Sequence, residues 1–316
     1  MDRLLTLLGA LAPVVLLIAC GRGLRLAGVL TPAAGAELGR LLFWVILPAR
    51  LLIECGRADL RASFDGPALI AGFTAFVAAL MVGWWASRGQ DPGVRGTVMT
   101  GTARANSAFV GLPVITLVAA TLAPALRTEL LAAFALCLAA MVITFNVGSV
   151  VAFRLPYHGV SWAGLRDSVV ELPRNPIIGA CVVGSLLSLW RPGAMTGTWV
   201  GTAADLLGAA AVPLALLVTG ADLELSTVRR QPWLVGAIVA GKLVLVPGAT
   251  WGLCHLLGAG PTATMAMTLL MACPTAVIAG AMARQLGGDD KLMAAVVVAT
   301  TTLSPLTLLI WLAALM

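Results

Sequence analysis

The stretch Arg104-Ala105-Asn106-Ser107-Ala108-Phe109-Val110-Gly111-Leu112-Pro113 sits inside an otherwise apolar segment, 97–123. Proline within a helix removes an N–H and clashes with the carbonyl four residues back. Gly111 beside it admits non-helical angles. The two together predict a broken helix, with Pro113 as the first residue of a new half-helix, a position proline favours. The N–H groups of Val114 and Ile115, at the positive end of that half-helix, would then face a cavity as an anion site. Asn106 and Ser107 add polar side chains nearby. Segment 262–285 repeats the device with Pro274, Thr275 and Ala276. The plainer alternative is that both prolines only kink ordinary membrane helices, where proline is common.

Other polar residues lie at depth in apolar segments. Lys242 falls about ten residues into segment 232–257, where a charge is costly and usually functional. It could attract an anion, neutralise a helix C-terminus, or pair with Asp205 or another acid. Asn146, in segment 129–153, is either an interhelical hydrogen bond or a substrate contact. Arg104 is expected to snorkel toward the cytoplasmic side. Glu54 and Asp222 occupy matched places and are expected at the membrane interface. Neither broken segment contains a carboxylate.

These residues need elements to hold them, and composition says in which solvent. Of the 316 residues, 60% are hydrophobic and 11% charged, against about 25% charged in soluble domains. Mean hydropathy is +0.99. So few charges could not cover a water-facing surface, so lipid is the expected solvent. Apolar runs at 4–21, 37–54, 67–87, 97–123, 129–153, 176–190, 199–219, 232–257, 262–285 and 291–315 predict an all-α polytopic protein of ten spans. Residues 1–153 form a first five-helix unit, 154–175 a polar loop and 176–316 a second unit. Leu17-Ile18-Ala19-Cys20 resembles a lipoprotein cleavage site, but the repeat described next requires the first span. The six cysteines form no Cys-x-x-Cys or Cys/His cluster, so no metal or cofactor is expected.

Prolines mark an internal repeat. Pro13 and Pro176, Pro48 and Pro213, and Pro113 and Pro274 are 163, 165 and 161 residues apart. A unit with five crossings must be inverted in its second copy, the architecture of many secondary transporters. Loops after odd-numbered spans carry twelve Arg and Lys, and the opposite side five. The positive-inside rule then puts the 154–175 loop in the cytoplasm and both termini outside. The +6 net charge therefore reports topology and no nucleic-acid partner.

Asn106-x-x-Phe109-x-Gly111-x-Pro113 resembles the crossover motif of the auxin efflux carriers and their bacterial relatives, in the bile/arsenite/riboflavin transporter superfamily. Phe43-Trp44-Val45-Ile46-Leu47-Pro48-Ala49, Asn175-Pro176-Ile177-Ile178, Pro213-Leu214-Ala215-Leu216-Leu217 and Ala272-x-Pro274 follow in that family's order. The resemblance implies crossing broken helices in spans four and nine. It also implies an elevator motion of a core (spans 3–5 and 8–10) against a scaffold (1, 2, 6 and 7), with a homodimer formed through the scaffold. It implies export or uptake of a small organic anion such as malate, malonate or an auxin across the bacterial inner membrane. Substrate contacts would come from Asn106, Ser107, Gly111, Pro113, Val114, Pro274 and Thr275, with Asn146 and Lys242 beside them. Rival readings are a sodium-coupled bile-acid-type symporter, a membrane sensor or an intramembrane enzyme. The last needs paired acids, a Ser/His pair or a metal site at depth, and His158 and His255 are the only histidines.

Overall fold

The computed structural model describes residues 2–57, 64–158, 176–191, 195, 197–221 and 231–316. Among these residues there is no strand. Helix α1 is Asp2–Leu26. Helix α2 runs 32–57 as Pro32–Leu41 and Leu47–Arg57, joined by a π segment, Leu42–Ile46. Helix α3 is Gly66–Ala86. Helix α4 comes in two pieces, α4a Pro92–Ala103 and α4b Ser107–Ala119. Helices α5, Pro124–His158, α6, Pro176–Trp190, and α7, Trp199–Ala221, follow. Helix α8 is Pro232–Leu257 with a π segment at Gly241–Leu245. Helix α9 is also split, into α9a Pro261–Ala272 and α9b Ile278–Leu286. Helix α10 is Asp290–Leu315.

The boundaries follow from local chemistry. Proline opens α2, α4a, α5, α6, α8 and α9a, where its missing N–H would have had no helical partner and its fixed φ suits the first turn. Thr31, Asp65 and Asp289 accept N–H groups of the first turns of α2, α3 and α10 at 3.2, 2.8 and 2.9 Å, as N-cap residues do. Pro176 therefore starts a helix, whereas Pro13, its counterpart in the repeat, lies within α1. Each of the three π segments among the described residues ends two residues before a proline: Pro48, Pro113 or Pro247. The proline at 247 withdraws the N–H owed to the Leu243 carbonyl, and the Trp311 indole replaces it at 2.9 Å.

Among the described residues five helices (α3, α5, α7, α8 and α10) are long and apolar enough to cross a membrane, and Ser107–Ala119 and Pro261–Ala272 are shorter apolar helices. Ile70, Phe73 and Met81 of α3 and Leu206 of α7 point outward. In water they would be an aggregation-prone patch; in lipid they match their solvent. The chain is a multi-pass membrane protein. Arg88 over Trp85 and Arg95 over Trp84, with 3.0 and 3.6 Å to the ring centroids, pair cations with aromatic rings at the α3–α4 turn, as in interfacial belts.

Helix α1 packs on α7, and α2 on α6 and α7; α3, α4 and α5 pack among themselves and with α8, α9 and α10. Small residues allow the first contacts. Gly21 lies against the backbone of Leu217 and Gly220 against that of Ile18, while a Cβ on Gly184 would stand 2.7 Å from the Leu52 carbonyl oxygen. The polar stretch read as a loop from Arg154 begins as helix instead. Helix α5 continues to His158, held by the Tyr157 hydroxyl donating to the Gly287 carbonyl at 2.6 Å. Residues 159–175, Asp222, Arg229 and Arg230, and the Glu54 side chain, lie outside the described set.

Candidate functional site

The two split helices meet at their interruptions. Ala105 and Thr275 form an antiparallel bridge, and the Asn106 N–H donates to the Pro274 carbonyl at 2.7 Å. The Thr275 N–H donates to Thr300 Oγ1 on α10 at 3.1 Å, and its hydroxyl donates to the Gly101 carbonyl in the last turn of α4a at 2.7 Å. Four helix ends thus converge, with two carbonyl ends, α4a and α9a, and two N–H ends, α4b and α9b.

The break in α4 falls upstream of the place expected from proline. Helix α4a ends at Ala103, Arg104 to Asn106 are non-helical, and the chain is helical again from Ser107. Pro113 lies in a helix already under way, and so does Val114. The first intrahelical bond of α4b runs from the Val110 N–H to the Asn106 carbonyl. The unpaired donors of its first turn are therefore those of Ser107, Ala108 and Phe109, not those of Val114 and Ile115. The preceding π segment explains how Pro113 is tolerated without a break. Gly111 is not a hinge: its φ and ψ are −63° and −48°. It provides room, since a Cβ there would stand 2.9 Å from Cys273 Sγ and 3.0 Å from the Phe134 ring.

Two cations are buried at the crossover. Lys242 is 0% exposed, and its ammonium donates to the Met271 carbonyl, in the last turn of α9a, at 2.6 Å. The π segment Gly241–Leu245 carries it. Of the roles open to Lys242, the helix C-terminus is the one realised. Asp205 is instead paired with Arg57 at 2.5 Å. Arg104 is 7% exposed and does not snorkel. It reaches across to α5, donating to the Phe145 carbonyl at 2.9 Å, Ser149 Oγ at 3.1 Å and Asn146 Oδ1 at 2.9 Å. Asn146 is thus an interhelical partner of Arg104. Among the described residues neither cation has a carboxylate partner.

Several buried polar atoms at this place have no partner at all: Asn106 Nδ2, Ser107 Oγ and Arg104 Nε, within four residues of chain, and the hydroxyls of Thr100, Thr268 and Thr301. Asn106 sits at the N-cap of α4b, yet its side chain makes no capping bond, although capping is what asparagine there normally does. Buried polar groups in native proteins are nearly always satisfied, so a run of unsatisfied ones needs an explanation. Sequence reasoning missed Arg104 as part of this site, along with Ser149, Thr300 and Cys273; the first was visible only as a charge within an apolar run.

Helices apolar on the outside, interrupted where they meet inside, over unpaired polar groups, are the features of polytopic transport proteins. Two comparisons agree with that class. Residues 160–312 match a family described as membrane transport protein. An "uncharacterized transporter" of Methanothermobacter thermautotrophicus is 25% identical over 308 residues, covering 94% of this chain and 95% of that protein. Together they support a membrane transporter. The family match covers Lys242, Pro274 and Thr275 but not Asn106.

Proposed function

We propose that the protein is a secondary transporter that carries a small organic anion, a carboxylate such as malate or malonate or an auxin-like acid, by alternating access at the α4–α9 crossover. The observation that carries this reading is the run of buried, unpartnered donors at Asn106, Ser107 and Arg104, in a place with two buried cations that have no carboxylate partner among the described residues. A bound anion would satisfy the donors and balance the charge, and the N-terminal end of α4b would add its dipole. Asn106 and Ser107 contact the substrate. Gly111, Pro113 and Val114 shape the half-helix behind them. Pro274 and Thr275 hold the partner break, and Asn146 orients Arg104.

The same reading makes the chain ten crossings in two inverted halves, with both termini outside. The glycine contacts support it, because they repeat at the proline offset. Gly184 lies 163 residues after Gly21, and Gly220 lies 164 after Gly56, where a Cβ would stand 3.8 Å from the Gly184 carbonyl oxygen, so the α1–α7 and α2–α6 contacts use equivalent positions. Helices α1, α2, α6 and α7 make their densest contacts with one another and lesser ones with α4b, α5 and α10, which supports a scaffold against which the core moves as an elevator. A homodimer through that scaffold, in a bacterial plasma membrane, follows from the family resemblance.

The test is charge movement by purified protein in liposomes on a solid-supported membrane, challenged with malate, malonate, lactate and indole-3-acetate. A saturable current is expected for at least one anion, and Asn106→Ala should reduce it at least about tenfold, equivalent to about 1.4 kcal/mol of binding. A full current in Asn106→Ala of normal fold would sink the site; no current and no competition by any anion would sink the substrate class.

A further inference from the structure

We infer that the ammonium of Lys242 is a built-in counter-cation that fills, at the carbonyl end of α9a, the position a free monovalent cation would otherwise take. The last four carbonyls of any helix lack intrahelical partners. In α9a three of the four are met from outside the helix. Leu269 accepts from Cys273 Sγ at 3.2 Å, Leu270 from the Cys273 N–H at 3.4 Å and Met271 from Lys242 at 2.6 Å. Only the last donor is charged. It points at the negative end of a half-helix dipole, where a cation is favoured, and it is wholly buried with no carboxylate partner among the described residues. Broken-helix carriers commonly use such half-helix carbonyl ends to coordinate sodium or a proton. Here the position is occupied by a side chain that cannot leave.

The surrounding structure is arranged for this reach. Lys242 sits in the π segment of α8 beside Gly241, where a Cβ would stand 2.9 Å from Thr102 Cγ2 of α4a. That contact sets α8 close to the crossover. The break in α4 has no such cation on its carbonyls; there the Thr275 hydroxyl serves Gly101. The consequence is a carrier whose crossover needs no sodium to be complete. In coupling terms this rests on the transporter reading, but the occupancy of the position is testable without flux.

Thermal unfolding of the purified full chain in detergent would be compared in chloride salts of sodium, potassium, methylammonium and choline at equal ionic strength. Wild type is expected to unfold at the same temperature in all four. Lys242→Ala should unfold several degrees lower in choline, and methylammonium or sodium should restore at least half of that loss saturably. Choline, a quaternary ammonium, has no N–H to donate to the carbonyls and is bulkier than methylammonium, so it serves as the inert cation. Lys242→Met, which fills the space with an apolar chain, should show much less restoration. A merely structural lysine would give a loss that no cation repairs, and that result overturns the proposal. So does saturable stabilisation of wild type by sodium over choline. If Lys242→Ala is not recovered folded in choline, purification in methylammonium chloride is the same test: folded protein supports the proposal and its absence overturns it. Failure here leaves the anion-current result untouched, and the reverse also holds.

Discussion

The two breaks that meet at the crossover are built differently. At the α9 break itself the polar groups are committed, although the Thr268 hydroxyl earlier in α9a is not: Thr275 uses both its N–H and its hydroxyl, the Pro274 carbonyl accepts from Asn106, and Met271 is capped by Lys242. In α4 the Asn106 N–H is paired and the Arg104 guanidinium reaches α5, but other donors at the break are left over. Asn106 Nδ2, Ser107 Oγ and Arg104 Nε remain without partners in a buried place. A committed break holds geometry; an uncommitted one can exchange partners with a ligand. On the proposed reading α9 fixes the crossover and α4 meets the substrate, and the difference separates substitutions expected to cost stability from those expected to cost transport.

Arg104 straddles the two roles and should give the largest stability effect. Arg104→Leu leaves the Phe145 carbonyl, Ser149 and Asn146 without their donor. Orphaned buried groups cost about 1–3 kcal/mol each, partly offset because a desolvated charge is removed, so a net loss of about 2–4 kcal/mol is expected. Unfolding in mixed micelles measures it. The double substitution with Asn146→Leu should cost less than the sum, since the two share a bond. Strict additivity would show that the network is not what holds Arg104.

Gly111→Ala comes next. Its methyl would press on Cys273 Sγ and the Phe134 ring, and overpacking of this kind costs about 1–3 kcal/mol. Cys273→Ala in the same chain should return part of the loss. If Gly111→Ala instead stabilised the protein, as alanine does at an unhindered helical glycine, the close approach of the two breaks at this point would be wrong.

What could be read from the sequence, and what could not, divides along similar lines. The lipid solvent was legible from the scarcity of charge, and the helix starts at Pro176, Pro232 and Pro261 fell within a residue of the apolar runs; those at Pro32, Pro92 and Pro124 lie five residues before the runs, because the first turns there are not apolar. That α4 and α9 are interrupted was legible from Asn106, Gly111 and the prolines at 113 and 274. Where α4 is interrupted was not, because proline after a π segment can sit inside a continuing helix. The role of Gly111 was misread as angular freedom because its close neighbours, Cys273 and Phe134, are distant in sequence. The burial of Arg104 depends on acceptors forty residues further on, and the partner of Lys242 is a backbone carbonyl, which no residue pattern displays.

The smallest stability effects should come from the side chains without partners, and they test the comparison most directly against α9. Thr275→Val keeps the shape but leaves the Gly101 carbonyl unpaired, for a loss of about 1–2 kcal/mol. Ser107→Ala and Asn106→Ala remove groups that make no bond in the ligand-free protein. Their stability should stay within about 0.5 kcal/mol of wild type, or rise, because a buried unsatisfied polar group is lost. Transport should follow the opposite order. Ser107→Ala and Asn106→Ala should impair anion current in protein of undiminished stability, while Thr275→Val should retain most of its current per folded molecule. Anion protection against thermal unfolding gives the same ranking without flux: it should persist in Thr275→Val and shrink in Ser107→Ala. If Ser107→Ala destabilised the chain as much as Thr275→Val while keeping its current, the two breaks would be equivalent structural devices, and the substrate would have to be met elsewhere.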